Sequence, residues 1–175
     1  MNVFARGLAA MLTAVIVVAG AAAPTVASAQ AASALDTERA RAEGETNRAK
    51  GAEFLAANKQ NKGVFTTPSG LQYSVLRQGS GPRPTANSRV RVNYEGRLLD
   101  GTVFDSSYAR GEATEFGLGQ VIAGWTEGVA MMPVGAKYRF WIPGDLAYGA
   151  KGGGDGKIGP NATLVFDVEL QAIVQ

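Results

Sequence analysis

The sequence predicts an α+β fold: an antiparallel β-sheet with one short helix late in the strand order, preceded by a helical N-terminal extension. Three features predict it. First, large and polar residues alternate through much of the chain after Val64. Val90, Val92 and Tyr94 share one strand face, as do Tyr138, Phe140 and Ile142, and again Leu164, Phe166, Val168 and Leu170. Second, Trp125, Val129 and Met132 follow the spacing i, i+4, i+7, one face of a helix that Pro133 and Gly135 stop after about two turns. So short a helix is not stable alone in water, so the flanking strands must enclose it, with Trp125 at the floor of their concavity. Taken alone, this stretch favours an ordinary core tryptophan at Trp125, and the flanking strands shift that balance. Third, residues 30–62 are rich in Ala, Glu, Arg and Asn and carry hardly a β-branched residue. They predict a helix from about Leu35 to Asn58, frayed near Gly44 and Gly51 and ended at Gly63.

The N-terminus precedes the fold. Met1 to Arg6 carries one positive charge, Gly7 to Ala23 is uncharged and mostly apolar, and Ala27-Ser28-Ala29 is a small-x-small cleavage site. This predicts a signal peptide over residues 1–29 and a mature chain from Gln30. A membrane anchor is the rival. The run is about 17 residues long, the lower limit for a spanning helix. It is built of Ala, Val and Gly more than Leu and Ile, so no stable membrane anchor is expected. The expected units are residues 1–29, a helical extension over 30–63 and a β-rich domain over 64–175.

Composition excludes several chemistries. There is no cysteine, so an exported chain must rely on its core rather than on disulfides. There is no histidine, which removes imidazole acid–base catalysis and the usual Cys/His zinc sites. No metal and no cofactor are expected. Arg6 is the only charged residue before Gln30, so the mature chain has 16 Lys and Arg against 15 Asp and Glu. A net charge of +1 gives no electrostatic case for nucleic acid.

In the extension, Glu38, Arg39, Arg41, Glu43, Glu45, Arg48 and Lys50 make a solvated stretch, with large apolar residues only at Leu35, Phe54 and Leu55. That reads as a solvent-exposed leader helix. It offers too little for a dimer seam, which needs roughly 800 Å² per partner, so a monomer is expected. Leu71 to Val75 is a strand in which large and polar residues alternate. Asp100-Gly101 is a hairpin signal joining the Val90 strand to Val103-Phe104-Asp105. Ser106 to Thr114 is polar and irregular, Glu115 to Leu118 a short strand, and Pro143 to Pro160 a long Gly-rich loop.

The residues facing the Trp125 concavity are mostly apolar or aromatic. Tyr94 and Phe166 lie on inward strand faces, Phe104 at a strand end, Val121 and Ile122 before the helix, and Tyr148 and Ile158 in the long loop. Such a lining suits a compact apolar ring, not a phosphate, sugar or metal. Asp105 is the one carboxylate placed at the rim, with Arg110 near enough in sequence to pair with it. No second carboxylate can be placed across the site for glycosidase chemistry. The plainer reading makes Asp105 a turn residue capping amides. The loop from Gly149 to Lys157 lacks the Ser or Thr of a Walker loop and reads as a flap. Asn161-Ala162-Thr163 is better explained by turn chemistry than by glycosylation.

Five motifs then follow in order: Val92-Asn93-Tyr94-Glu95-Gly96, Asp100 to Ser107, Val121 to Gly128, Ala147-Tyr148-Gly149, and Ala162 to Leu170. Together they make the region from Val64 to Gln175 resemble FKBP-type peptidyl-prolyl cis–trans isomerases. Ser69 to Tyr73 and Phe54 to Lys59 further resemble the exported bacterial branch, the macrophage-infectivity-potentiator type. The resemblance implies a strongly curved sheet, a half-barrel, wrapped around the short helix. It implies that Tyr94, Asp105 and Tyr148 are catalytic, and that Phe104, Val121, Ile122, Trp125, Ile158 and Phe166 line the prolyl pocket. Arg110 would brace Asp105, and the Ile122 amide and Tyr148 hydroxyl would donate to ligand carbonyls. The implied activity is rotation about X-Pro bonds of exported polypeptides in the periplasm, with macrolide immunosuppressants such as tacrolimus and rapamycin as inhibitors. A non-catalytic binder of proline segments is the alternative class. Three departures stand out: no aromatic residue at Ala113-Thr114, glycines where some members have a histidine in the last loop, and an extension of only about 30 residues where the resemblance implies a larger helical dimerisation domain.

Overall fold

The computed structural model describes residues 26–174. The charged start and apolar run read as a leader lie outside the described residues. Helix α1 spans Val26–Asn58. The strands are β1 (Phe65–Thr66), β2 (Gln72–Arg77), β3 (Arg89–Leu98), β4 (Val103–Ser106), β5 (Thr114–Gly117), β6 (Lys137–Ile142) and β7 (Leu164–Val174). Two further helices, α2 (Ser107–Arg110) and α3 (Ala123–Ala130), complete the set. All strand pairs are antiparallel, in the order β1-β2-β6-β7-β3-β4, with β5 also on β3.

Strand β3 organises the sheet. One of its edges is covered along its whole length by β7, from Arg89 opposite Val174 to Leu98 opposite Leu164. Its other edge is covered in two pieces, by β5 at residues 89–92 and by β4 at residues 95–97. Between these pieces the chain leaves the sheet, and that excursion carries α2 and Arg110.

The inward residues read from alternation are the core. Val90, Val92, Phe140, Ile142, Leu164, Val168 and Leu170 are all buried, as are Trp125, Val129 and Met132 of and after α3. Two glycines one turn apart let α3 approach the sheet. A Cβ on Gly124 would meet Ile142 Cγ2 at 2.4 Å, and one on Gly128 would meet Phe140 Cε1 at 2.7 Å. The other face of the sheet carries ion pairs instead, with Arg139 bidentate on Asp167 at 2.5 and 2.7 Å.

Four expectations need correction. Helix α1 starts earlier than Leu35 and runs unbroken through Gly44 and Gly51. Both glycines are buried contact points, Gly44 against Pro160 and Asn161 and Gly51 against Thr163, and this packing offsets their poor helix propensity. For the same reason α1 is not a solvated leader throughout. Its second half is fastened to the domain by polar groups: Asn47 Nδ2 donates to the Pro160 carbonyl (2.9 Å) and Asn58 Nδ2 to Gln72 Oε1 (2.8 Å). Gln72, placed on the polar face of its strand, is therefore buried, and its Nε2 donates to the Leu55 carbonyl at 2.8 Å. Finally, the long Gly-rich loop has structure of its own. It holds two 3₁₀ turns, Gly144–Leu146 and Gly149–Lys151, and a two-way bridge between Gly153 and Ile158.

Candidate functional site

A cavity of about 300 Å³ opens over α3. Tyr94, Phe104, Asp105, Phe116, Gln120, Val121, Ile122, Trp125, Tyr148 and Phe166 line it. Trp125 is 4% exposed and stands edge-on to three rings: Tyr94 at 5.2 Å, Phe166 at 5.3 Å and Phe116 at 5.4 Å between centroids. Phe104 meets Phe166 edge-on at 5.5 Å. These T-shaped pairs place positive ring edges on negative faces and fix the walls more tightly than area burial alone. Gly96 makes them possible: a Cβ there would meet both Phe104 Cζ and Phe166 Cε1 at 2.6 Å. Trp125 Nε1 is buried without a hydrogen-bond partner among the described residues.

One polar corner interrupts the aromatic wall. The Tyr94 hydroxyl donates to Asp105 Oδ2, and Arg110 Nη1 forms a short ion pair with Asp105 Oδ1. Arg110 Nη2 donates to the Tyr94 hydroxyl at 3.0 Å and to Thr114 Oγ1 at 3.2 Å, while its guanidinium lies 5.5 Å from the Tyr94 ring centroid. Local sequence builds this corner. Ser106 caps α2 by accepting from the Ala109 amide, and Gly111, at φ 77°, ends it, so Arg110 projects from a single capped turn. The buried Ser107 hydroxyl accepts from the Tyr94 amide (2.8 Å) and donates to Asn93 Oδ1 (3.1 Å), tying α2 to β3.

The electrostatics follow. Burial alone would push the Asp105 carboxyl up, but hydrogen bonds from Tyr94 and Arg110 outweigh it and hold it below the ordinary carboxylate range. Burial, then the bond to Asp105, raises Tyr94; burial, then the charge of Asp105, raises Tyr148. At neutral pH the corner therefore holds one carboxylate, one guanidinium and two neutral phenols.

The structure brings together nine of the residues named from sequence. Tyr94, Phe104, Asp105, Val121, Ile122, Trp125, Tyr148 and Phe166 line the cavity, and Arg110 braces Asp105 from behind. Asp105 accepts from side chains at this corner, beyond the amide-capping role a turn aspartate would have. Ile158 is not in the lining; it is buried, and its amide and carbonyl pair with Gly153. Phe116 and Gln120 are lining residues that the sequence reading missed. All four residues of β5 are partly buried, so that strand has no alternation to show which way Phe116 points.

The molecule is an open antiparallel sheet packed on one short helix, with an aromatic cavity where they meet. The model of the FKBP-type peptidyl-prolyl cis-trans isomerase matches residues 81–171, and that of the domain amino terminal to it matches residues 1–75. The chain belongs to the FKBP-type peptidyl-prolyl cis-trans isomerase family. It is 54% identical over 136 residues to a probable FKBP-type isomerase FkpA of Neisseria meningitidis, covering 78% of this chain and 50% of that protein. It is 50% identical over 127 residues to the peptidyl-prolyl cis-trans isomerase Mip of Coxiella burnetii, covering 73% and 55%. The crystal structure of FkpA from Escherichia coli superposes with a TM-score of 0.74 at 41% identity, covering 83% of this chain and 70% of that one. The chain spans about half the length of the curated relatives it matches.

Proposed function

We propose that this chain is a peptidyl-prolyl cis-trans isomerase that rotates X-Pro bonds in exported polypeptides and so assists their folding. The observation that carries this reading is the cavity: a well of about 300 Å³ with Trp125 buried at its base, walled mostly by aromatic and aliphatic side chains, with Asp105 and Gln120 among its few polar ones. The family match supports it. Rotation about the bond faces a barrier of roughly 18–20 kcal/mol, mostly amide resonance. Twisting breaks resonance, so the transition state is less zwitterionic than the planar amide. A dry aromatic site favours the twisted form relative to water, which stabilises the planar dipole. Each ~1.4 kcal/mol of such differential stabilisation is a factor of ten in rate. The mechanism needs no nucleophile and no group that titrates near neutrality, which agrees with a chain without histidine or cysteine.

In this reading Phe104, Val121, Ile122, Trp125 and Phe166 hold the pyrrolidine ring. Tyr94 and Asp105, held by Arg110, set the field at the rotating carbonyl, and Tyr148 and the Ile122 amide donate to the backbone on either side. Macrolides that present a similar ring compete for the same well. Residues 64–175 form the isomerase domain, residues 30–63 its extension, and residues 1–29 a signal peptide that directs the chain to the periplasm. No helix among the described residues is long and apolar enough to cross a membrane.

The test pairs a proline-peptide isomerisation assay with an aggregation-suppression assay on the same preparation. Isomerisation blocked by a macrolide is the expected result. Aggregation suppression without isomerisation would replace the enzyme by a passive binder of proline segments.

A further inference from the structure

The segment that carries Tyr148 is fastened at both ends to helix α1. At its start, Arg48 Nη2 of α1 reaches Asp145 Oδ1 at 3.2 Å. At its end, Asn47 Nδ2 donates to the Pro160 carbonyl at 2.9 Å, and Arg48 Nη2 to Asn161 Oδ1 at 3.4 Å. Asn161 is where these contacts cross. Its Nδ2 donates back to the Gly44 carbonyl of α1 at 3.3 Å. Its amide donates to the Gly149 carbonyl at 2.7 Å, one residue beyond Tyr148. Its backbone presses on Gly144, where a Cβ would lie 2.5 Å from the Asn161 carbonyl oxygen. It does this at φ 53°, a left-handed conformation that asparagine tolerates better than most residues. The Tyr148 ring in turn rests on Gly153, where a Cβ would lie 2.5 Å from Tyr148 Cδ1.

We infer that Asn161 is a positioning residue for Tyr148, and that helix α1, through Asn47 and Arg48, sets the pose of this wall of the pocket. Tyr148 is 41% exposed and no strand holds it, so its place depends on the turn beneath it. That turn is bonded to Asn161, and Asn161 is bonded to α1. The extension thus acts on the pocket without touching it. An exposed ion pair such as Arg48–Asp145 contributes little alone. The hydrogen bonds of Asn47 and Asn161, made to half-buried carbonyls, carry the link.

The inference rests on the isomerase reading, so its test has one arm that needs no activity. In the full chain, Asn47→Ala with Arg48→Ala removes the bonds that side chains of α1 make to Asp145, Pro160 and Asn161, leaving the bond from Asn161 to the Gly44 carbonyl. Asn161→Gly cuts the clamp from the other side while keeping the left-handed backbone and the amide bond to Gly149. Both variants are expected to lose about tenfold or more of the hydrogen-exchange protection at the amides of Gly153, Ile158 and Asn161, with β7 unchanged. Both are expected to lower kcat/KM for an X-Pro peptide about threefold. In a Tyr148→Ala background the same changes are expected to cost nothing further, because the group they position is gone. Unchanged protection overturns the inference, as does a loss that adds in full to that of Tyr148→Ala. A wild-type chain with no isomerase activity defeats the isomerase reading, while the exchange arm still decides the clamp.

Discussion

Tyr148 and Asp105 face the same well with different work to do. Tyr148 is a neutral donor on a turn; Asp105 is a fixed charge between Tyr94 and Arg110. If Tyr148 donates to substrate as proposed, Tyr148→Phe keeps the aromatic wall and removes that one hydrogen bond. The expected loss in kcat/KM is about 1 kcal/mol, roughly fivefold, read from peptide kinetics. The pH dependence follows from the directions of the shifts. The folded pKa of Asp105 lies below its ordinary value of 3.8, so its contribution is complete above that value and is lost as pH falls through the depressed one. Tyr94 and Tyr148 are raised above 10.0, so as phenols they are lost only as pH rises beyond that. Activity is therefore expected to stay flat from about pH 6 to 8, with no histidine to bend it.

Elements with a period were legible in the sequence, and elements held by small or polar contacts were not. The faces of β3, β6 and β7 and of α3 show in alternation or i, i+4 spacing because each buries one apolar face. The seating of α1 leaves no such trace. It uses two glycines and the amides of Asn47 and Asn58, residue types that equally suit a solvated helix. The burial of Gln72 leaves no trace for that reason: the helix that covers it offers no apolar stripe. Most of the pocket was legible because its residues stand on those strands and at the start of α3. Ile158 is not among the residues that line the cavity, and a glycine-rich loop has no period from which its direction could be read. For α3, the close approach at Gly128 gives a sharp expectation. Gly128→Ala must displace the Phe140 ring or lift the helix, a loss of about 1–3 kcal/mol in denaturant unfolding. An unchanged midpoint would mean that α3 is less tightly seated than the glycine contacts imply.

At the scale of the whole molecule, α1 and the sheet divide the labour. The second half of α1 is committed to the domain, while residues 29–43 are solvent-exposed, with Leu35 the large apolar side chain among them. That half presents too little apolar surface for a standard interface of about 800 Å² per partner. A monomer is the expected state, and light scattering at micromolar concentration should return the mass of one chain; twice that mass would contradict it.

In the proposed mechanism an aromatic well, not acid–base chemistry, lowers the barrier to rotation. The most direct measurement is kcat/KM for an X-Pro peptide from pH 6 to 8, on the wild-type chain and on Trp125→Ala, with circular dichroism confirming that the variant is folded. Removing Trp125 strips the edge-on partner from Tyr94, Phe116 and Phe166 and admits water to the floor. The expected result is a flat profile for the wild type and a variant reduced by about tenfold or more at every pH. A bell-shaped profile, with full activity retained in Trp125→Ala, would contradict it and would point to proton transfer at a carboxylate instead.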